Sequence, residues 1–114
     1  MFVADELNFI VKGSQGDHYQ VNVTREGTNL FVSCNCRAGQ FGKFCKHKWN
    51  VLRGEAELVS DNYSDMETVN NWMFNSDLRD PFLATTKAIL TVKEAEDNLK
   101  KQRNNFAKLI KRKN

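Results

Sequence analysis

Three cysteines and a histidine fall in one short stretch, as Cys34-x-Cys36 and Cys45-x-His47. Three thiolates and one imidazole make up the ligand set of a closed tetrahedral zinc site, with every position filled by protein. A catalytic zinc normally keeps one position for water, so Cys34, Cys36, Cys45 and His47 point to a structural Zn²⁺. The competing use of these cysteines is an internal disulfide. Residues two apart on a strand stand roughly 6 to 7 Å apart at the backbone, a poor spacing for a bridge, and three cysteines cannot all pair. The second histidine, His18, is distant from a set that is already complete and is expected at the surface.

The elements that must position these ligands follow from their spacing. Side chains two apart on an extended strand share a face, so Cys34 and Cys36 can turn toward one metal while Asn35 points away. Gly39 and Gly42 allow a tight return between the two ligand pairs. Residues two apart on a helix do not share a face, which places Cys45 just before a helix and His47 in its first turn. A helix N-terminus also favours the negative charge of a thiolate.

This pattern resembles the SWIM-type zinc finger, a family with a C-x-C, variable gap, C-x-H motif between an aromatic, alternating strand and an apolar helix. The matching pieces are Tyr19-Gln20-Val21-Asn22-Val23, Cys34-Asn35-Cys36, Cys45-Lys46-His47 and Val51-Leu52. Arg37 stands where the family often has proline, and Asn50 where it often has a small apolar residue. The likeness covers roughly residues 17–56. It implies a β-β-α unit with zinc between the second strand and the helix, and a role in binding DNA or proteins.

The remaining elements are read from periodicity. Residues 7–12, 18–25 and 30–34 carry strand-like composition and are separated by turn signals at Gly13-Ser14-Gln15-Gly16 and Glu26-Gly27-Thr28-Asn29. They predict a three-stranded antiparallel meander. Trp49, Leu52, Ala56 and Val59 fall at helical spacing and predict a helix from His47 to about Val59, with Gly54 inside it. Ser64 and Glu67 form a capping-box signature for a second helix carrying Met66, Val69 and Met73 and ending near Asn75-Ser76. Asp80-Pro81 starts a third helix. Thr91 and Glu94 either cap a new helix there or lie within a continuous one.

The last stretch, residues 92–113, places Val92, Ala95, Leu99, Phe106 and Leu109 or Ile110 at three-four spacing, with Gln102 or Arg103 interrupting the middle. This amphipathic helix either folds back on the protein or pairs with its copy in a homodimer. The fold class is α+β: a small antiparallel sheet and zinc-bound β-β-α unit, then a helical C-terminal half. The expected division is a zinc module at 1–60 and a helical region at 61–114.

Composition narrows the function. At 40% hydrophobic and 27% charged the chain is that of a soluble globular protein, without an apolar run long enough to span a membrane. The start lacks the features of a signal peptide, and free cysteines grouped as metal ligands suit an intracellular, cytoplasmic or nuclear setting. The sequence contains no phosphate-binding glycine loop with lysine and hydroxyl, no H-E-x-x-H pattern and no Pro-Cys-x-x-Cys pair, so binding rather than catalysis is expected, with no catalytic residues.

The formal net charge of +3 is too small to argue for nucleic acid by itself, but two local groups of basic residues stand out. Arg37, Lys43, Lys46 and Lys48 are interleaved with Phe41 and Phe44 around the ligands. Lys108, Lys111, Arg112 and Lys113 lie in a terminal stretch without acidic residues. Basic side chains reach phosphates and phenylalanines stack on unpaired bases, making these residues the candidate nucleic-acid contacts. The bland reading is charge balance around a Cys₃His site and a helix C-terminus matched to its dipole. DNA, single- or double-stranded, is the expected partner. The alternative is a protein adaptor or inhibitor that uses the zinc knuckle and the C-terminal helix.

Overall fold

Phe9, Val11, Val21 and Val23 alternate with more exposed residues along two neighbouring strands, and all four are buried. This period-two pattern makes a sheet with one face turned to a core. The computed structural model describes residues 5–111. Strands β1 (Asp5–Lys12), β2 (His18–Glu26) and β3 (Asn29–Cys34) form an antiparallel sheet in the order β1-β2-β3, the meander expected from the sequence. Glycine begins the tight β2–β3 turn: Gly27 sits at φ 61°, and glycine at the first central position suits the twist of a two-residue hairpin.

The register carries the core to residues 34–36. Phe9 pairs with Val21, and Val21 with Cys34, so one cross-strand row ends on the first thiol. In the adjacent row Val11 pairs with Tyr19.

After β3 come a short α1 (Arg37–Gln40), then α2 (Lys46–Leu52) and α3 (Tyr63–Phe74). The helix expected to reach Val59 stops at Leu52 instead. Gly54 adopts φ 79°, its N–H donates to the Val51 carbonyl at 3.1 Å, and the Glu55 N–H donates to the Asn50 carbonyl at 2.9 Å. This pair of bonds is a Schellman termination, in which a left-handed glycine satisfies the last carbonyls. The residues beyond it run beside β1. Leu58 bridges Val11, the Lys12 N–H donates to the Glu57 carbonyl at 2.9 Å and the Val59 N–H to the Ile10 carbonyl at 2.8 Å. Ala56 and Leu58 are therefore buried as extended chain, while Val59 is exposed.

Met66, Val69 and Met73 form the buried stripe of α3, as their spacing predicted, and α3 packs on α2. Full burial of each such side chain stabilises the fold by about 1.5–3 kcal/mol. The start of α3 differs from the capping box. Asn62, not Ser64, precedes the helix and makes no side-chain cap bond. Its amide instead donates to the Asn8 carbonyl at 3.1 Å, tying the helix start to β1.

The chain forms two compact units, the first ending at Arg79 and the second beginning at Asp80. Helix α4 (Arg79–Lys111) runs for 33 residues without interruption, about 50 Å at the α-helical rise. Pro81 falls in the first turn, where its missing N–H costs no intrahelical bond. The question left open at Thr91 resolves as continuity: its hydroxyl donates to the Lys87 carbonyl at 2.9 Å, and Thr85 and Thr86 bond similarly one turn back. None of the described residues of α4 is buried. Among the described residues no helix is long and apolar enough to cross a membrane.

Candidate metal centre

The site begins where β3 ends. Cys34 is the last residue of that strand, and Cys36 follows in extended conformation as the N-cap of α1, its sulfur accepting the Gly39 N–H at 3.2 Å. Asn35 between them is exposed and does the work of a further strand residue. Its N–H donates to the Gln20 carbonyl at 3.2 Å and its side-chain oxygen accepts the Gln20 N–H at 2.8 Å. Cys45 is the N-cap of α2 and His47 lies in the first turn, the arrangement expected from their spacing.

The intervening return uses its two glycines differently from each other. Gly42 has φ 68°, the left-handed conformation expected of a tight turn. Gly39 has no positive φ, so its role is close approach: a β-carbon there would lie 2.5 Å from the Cys34 carbonyl oxygen. The sequence signal, a glycine three residues after Cys36, was present, but its physical reason becomes visible only once β3 and α1 are placed side by side.

The four ligand atoms lie within 4.8 Å of one another, and all four residues are buried. Cys36 Sγ and Cys45 Sγ are 3.3 Å apart. His47 Nδ1 is 3.8 Å from Cys34 Sγ and 3.6 Å from Cys45 Sγ. Zinc–sulfur bonds of about 2.3 Å and zinc–nitrogen bonds of about 2.0 Å give tetrahedron edges of about 3.5–3.8 Å. The sulfur–nitrogen separations match those edges and the sulfur pair falls slightly inside them. The separation of those two sulfurs is also well beyond a disulfide bond of about 2.05 Å. Cys34, Cys36, Cys45 and His47 could therefore hold a metal ion, and three of their separations come close to the edges of a zinc tetrahedron although the cluster as a whole spreads to 4.8 Å.

The local electrostatics divide the thiols. Burial pushes the Cys34 thiol up to about 12, only partly opposed by the Cys36 N–H that points at it. Burial also acts against the Cys36 thiolate, but the Gly39 N–H, His47 and the neighbouring thiols outweigh it and bring Cys36 down to about 6. A divalent cation among them would favour the thiolate form of all three. The buried Nε2 of His47 has no hydrogen-bond partner. The imidazole is held by packing instead, with the Tyr19 ring stacked on it at a centroid separation of 4.3 Å. The alternation of Tyr19 with Val21 and Val23 placed it on the core face, but its partner in the stack was not legible.

Around this buried centre the surface is aromatic and basic. Phe41 is 68% exposed and Phe44 65% exposed. Arg37, Lys43 and Lys46 are exposed and Lys48 is half-buried. Phe44 leans on Trp49, with ring centroids 5.8 Å apart, and an open depression runs along Ala38, Phe44 and Lys46 beside the ligands. Lys108 and Lys111 are exposed on α4, in the second unit. Arg112 and Lys113 lie outside the described residues. His18 is exposed at the start of β2 and is not among the clustered ligands. Comparison with protein-family models, curated proteins and solved structures returned no match to this chain.

Proposed function

We propose that this chain is a zinc-stabilised nucleic-acid-binding protein, acting on DNA by itself or as an accessory subunit of a DNA-processing assembly. The observation that carries the reading is the exposure of Phe41 and Phe44 on either side of Lys43, next to a buried Cys₃His cluster. A metal that cross-links the ends of this loop fixes its shape, so two phenyl faces and a lysine are presented without the entropic cost of ordering them on binding. Phenyl rings stack on unpaired bases, and Arg37, Lys43 and Lys46 supply phosphate contacts. The C-x-C and C-x-H resemblance to the SWIM-type finger supports the same reading. Zinc here has a structural role, and the protein binds rather than catalyses.

The test is a titration of zinc-loaded protein with single- and double-stranded oligonucleotides at two salt concentrations. Binding that weakens steeply with salt, and that Lys43→Glu with Lys46→Glu reduces, supports the proposal. Absence of binding at low salt sinks it. A protein adaptor is the second reading, favoured by the depression beside Phe44; there Phe41→Ala and Phe44→Ala would abolish partner capture while the lysine substitutions would change little.

A further inference from the structure

Helix α4 carries an apolar stripe interrupted in a specific way. Ile89, Val92, Leu99, Phe106 and Ile110 are all exposed, and their spacing of three, seven, seven and four residues fits two interleaved heptad series. The series through Ile89 and Ile110 also passes through Glu96 and Arg103 at the centre of the stripe, while Val92, Leu99 and Phe106 make up the other. One acid and one base, seven residues apart, therefore occupy positions that would be interior in a paired helix. They are too far apart along their own helix to neutralise each other, since side-chain neighbours there are three or four residues apart.

We infer that α4 pairs with α4 of a second copy of this chain, in antiparallel orientation, with Glu96 of each copy matched to Arg103 of the other. Parallel pairing in register would set Glu96 against Glu96 and Arg103 against Arg103 inside the interface, leaving like charges buried together. Antiparallel pairing places Ile89 opposite Phe106 of the second copy and Glu96 one layer from Arg103 of the second copy. Helix side chains tilt toward their own N-terminus. In opposed helices these two charged side chains consequently lean toward each other.

The longer-range charge distribution favours the same orientation. The first part of α4 is close to neutral, with Asp80, Glu94, Glu96 and Asp97 set against Arg79, Lys87 and Lys93, while Lys100, Lys101, Arg103, Lys108 and Lys111 follow without an intervening acid. Antiparallel helices set the near-neutral portion of one against the basic portion of the other, whereas parallel helices align the two basic portions. Lys93 and Lys100 flank the stripe, and each has Glu96 within one turn of its own helix, which lessens their repulsion across the pair.

Sedimentation equilibrium of the full zinc-loaded chain, from about 1 to about 100 μM, provides the first test. A reversible dimer is expected. Glu96→Arg and Arg103→Glu should each raise its dissociation constant about tenfold or more, and the double exchange E96R/R103E should bring it back to within about threefold. Helical circular dichroism and zinc content of each variant distinguish a weakened interface from a misfolded chain. Orientation is read separately by placing photoreactive benzoylphenylalanine at position 106. Crosslinks to the peptide containing Ile89 of the second copy are expected.

A monomer throughout the concentration range overturns the inference and assigns the stripe to a different partner. Crosslinks joining position 106 to its own counterpart, or a charge exchange that fails to restore association, overturn the antiparallel pairing.

Discussion

The ring of Tyr19 lies over the ring of His47, with centroids 4.3 Å apart and planes inclined by 28°. A residue of the second strand thereby fixes the orientation of a candidate ligand on α2, linking the sheet to the metal centre through an aromatic contact. Offset aromatic stacking is worth about 0.5–1.5 kcal/mol beyond area burial. Tyr19→Phe should retain zinc affinity, whereas Tyr19→Ala should weaken it by roughly threefold to tenfold. Competition with a chromophoric chelator measures both. Equal losses in the two variants would place the effect in the Tyr19 hydroxyl, which donates to Asp17 at 3.2 Å, and not in the stack.

Gly39 and Gly16 offer a matched comparison. A β-carbon at Gly39 meets the Cys34 backbone, while one at Gly16 meets nothing within 4 Å. Gly39→Ala should cost about 1–3 kcal/mol through forced backbone movement beside two ligands, and should also lower zinc affinity. Gly16→Ala acts only through its φ of 82°, costing about 1–2 kcal/mol with zinc affinity unchanged. Urea unfolding and chelator competition on the same samples separate the two effects.

Zinc removal should act unevenly along the chain. The ligands close the segment from Cys34 to His47, and α2 is a seven-residue helix, too short to persist without tertiary support. Hydrogen-exchange protection from Cys34 to Leu52 should collapse on chelation, because a structural metal contributes directly to folding. Helix α4 carries no ligand and should keep its helical signal. Unchanged protection across the ligand segment after verified zinc removal would show that packing alone holds it.

Arg25 is shared by three elements. Its guanidinium pairs with the Asp5 carboxylate on β1 and sits 4.7 Å from the centre of the Trp72 ring on α3. A planar guanidinium serves both partners at once, and a lysine ammonium does so poorly. Arg25→Lys should destabilise the first unit by roughly 0.5–1 kcal/mol, with the Asp5 share diminishing as salt rises. Denaturant titrations at low and high salt test this, and a loss independent of salt would assign the effect to Trp72 alone.

The strands and the Cys/His cluster were legible because period-two alternation and the spacing of Cys34, Cys36, Cys45 and His47 are local signals. Phe9, Val21 and Val23 announce a face, and Cys45-x-His47 announces a strand-to-helix transition. The helix ends were less so. Gly54 was compatible with a helix interior on propensity alone, and its left-handed conformation releases the chain to run beside β1, where Leu58 bridges Val11. Similarly, Ser64 lost the helix start to Asn62 because the Asn62 amide has a partner on a strand more than fifty residues earlier. At the candidate metal centre the clustering of Cys34, Cys36, Cys45 and His47 could be read from the chain, whereas the Tyr19 stack and the Gly39 approach depend on contacts between separate elements.

The segment from Glu57 to Val59 has a consequence for solubility. An outer strand normally offers a row of unpaired amides and carbonyls on which a strand from another molecule can nucleate. Along β1 the Lys12 N–H and the Ile10 carbonyl are occupied by that segment, and the Asn8 carbonyl by Asn62. The stretch of β1 holding Phe9 and Val11 is thus closed to sheet extension by a neighbouring molecule. Growth of amyloid-like ribbons from this edge would first require the clasp to open.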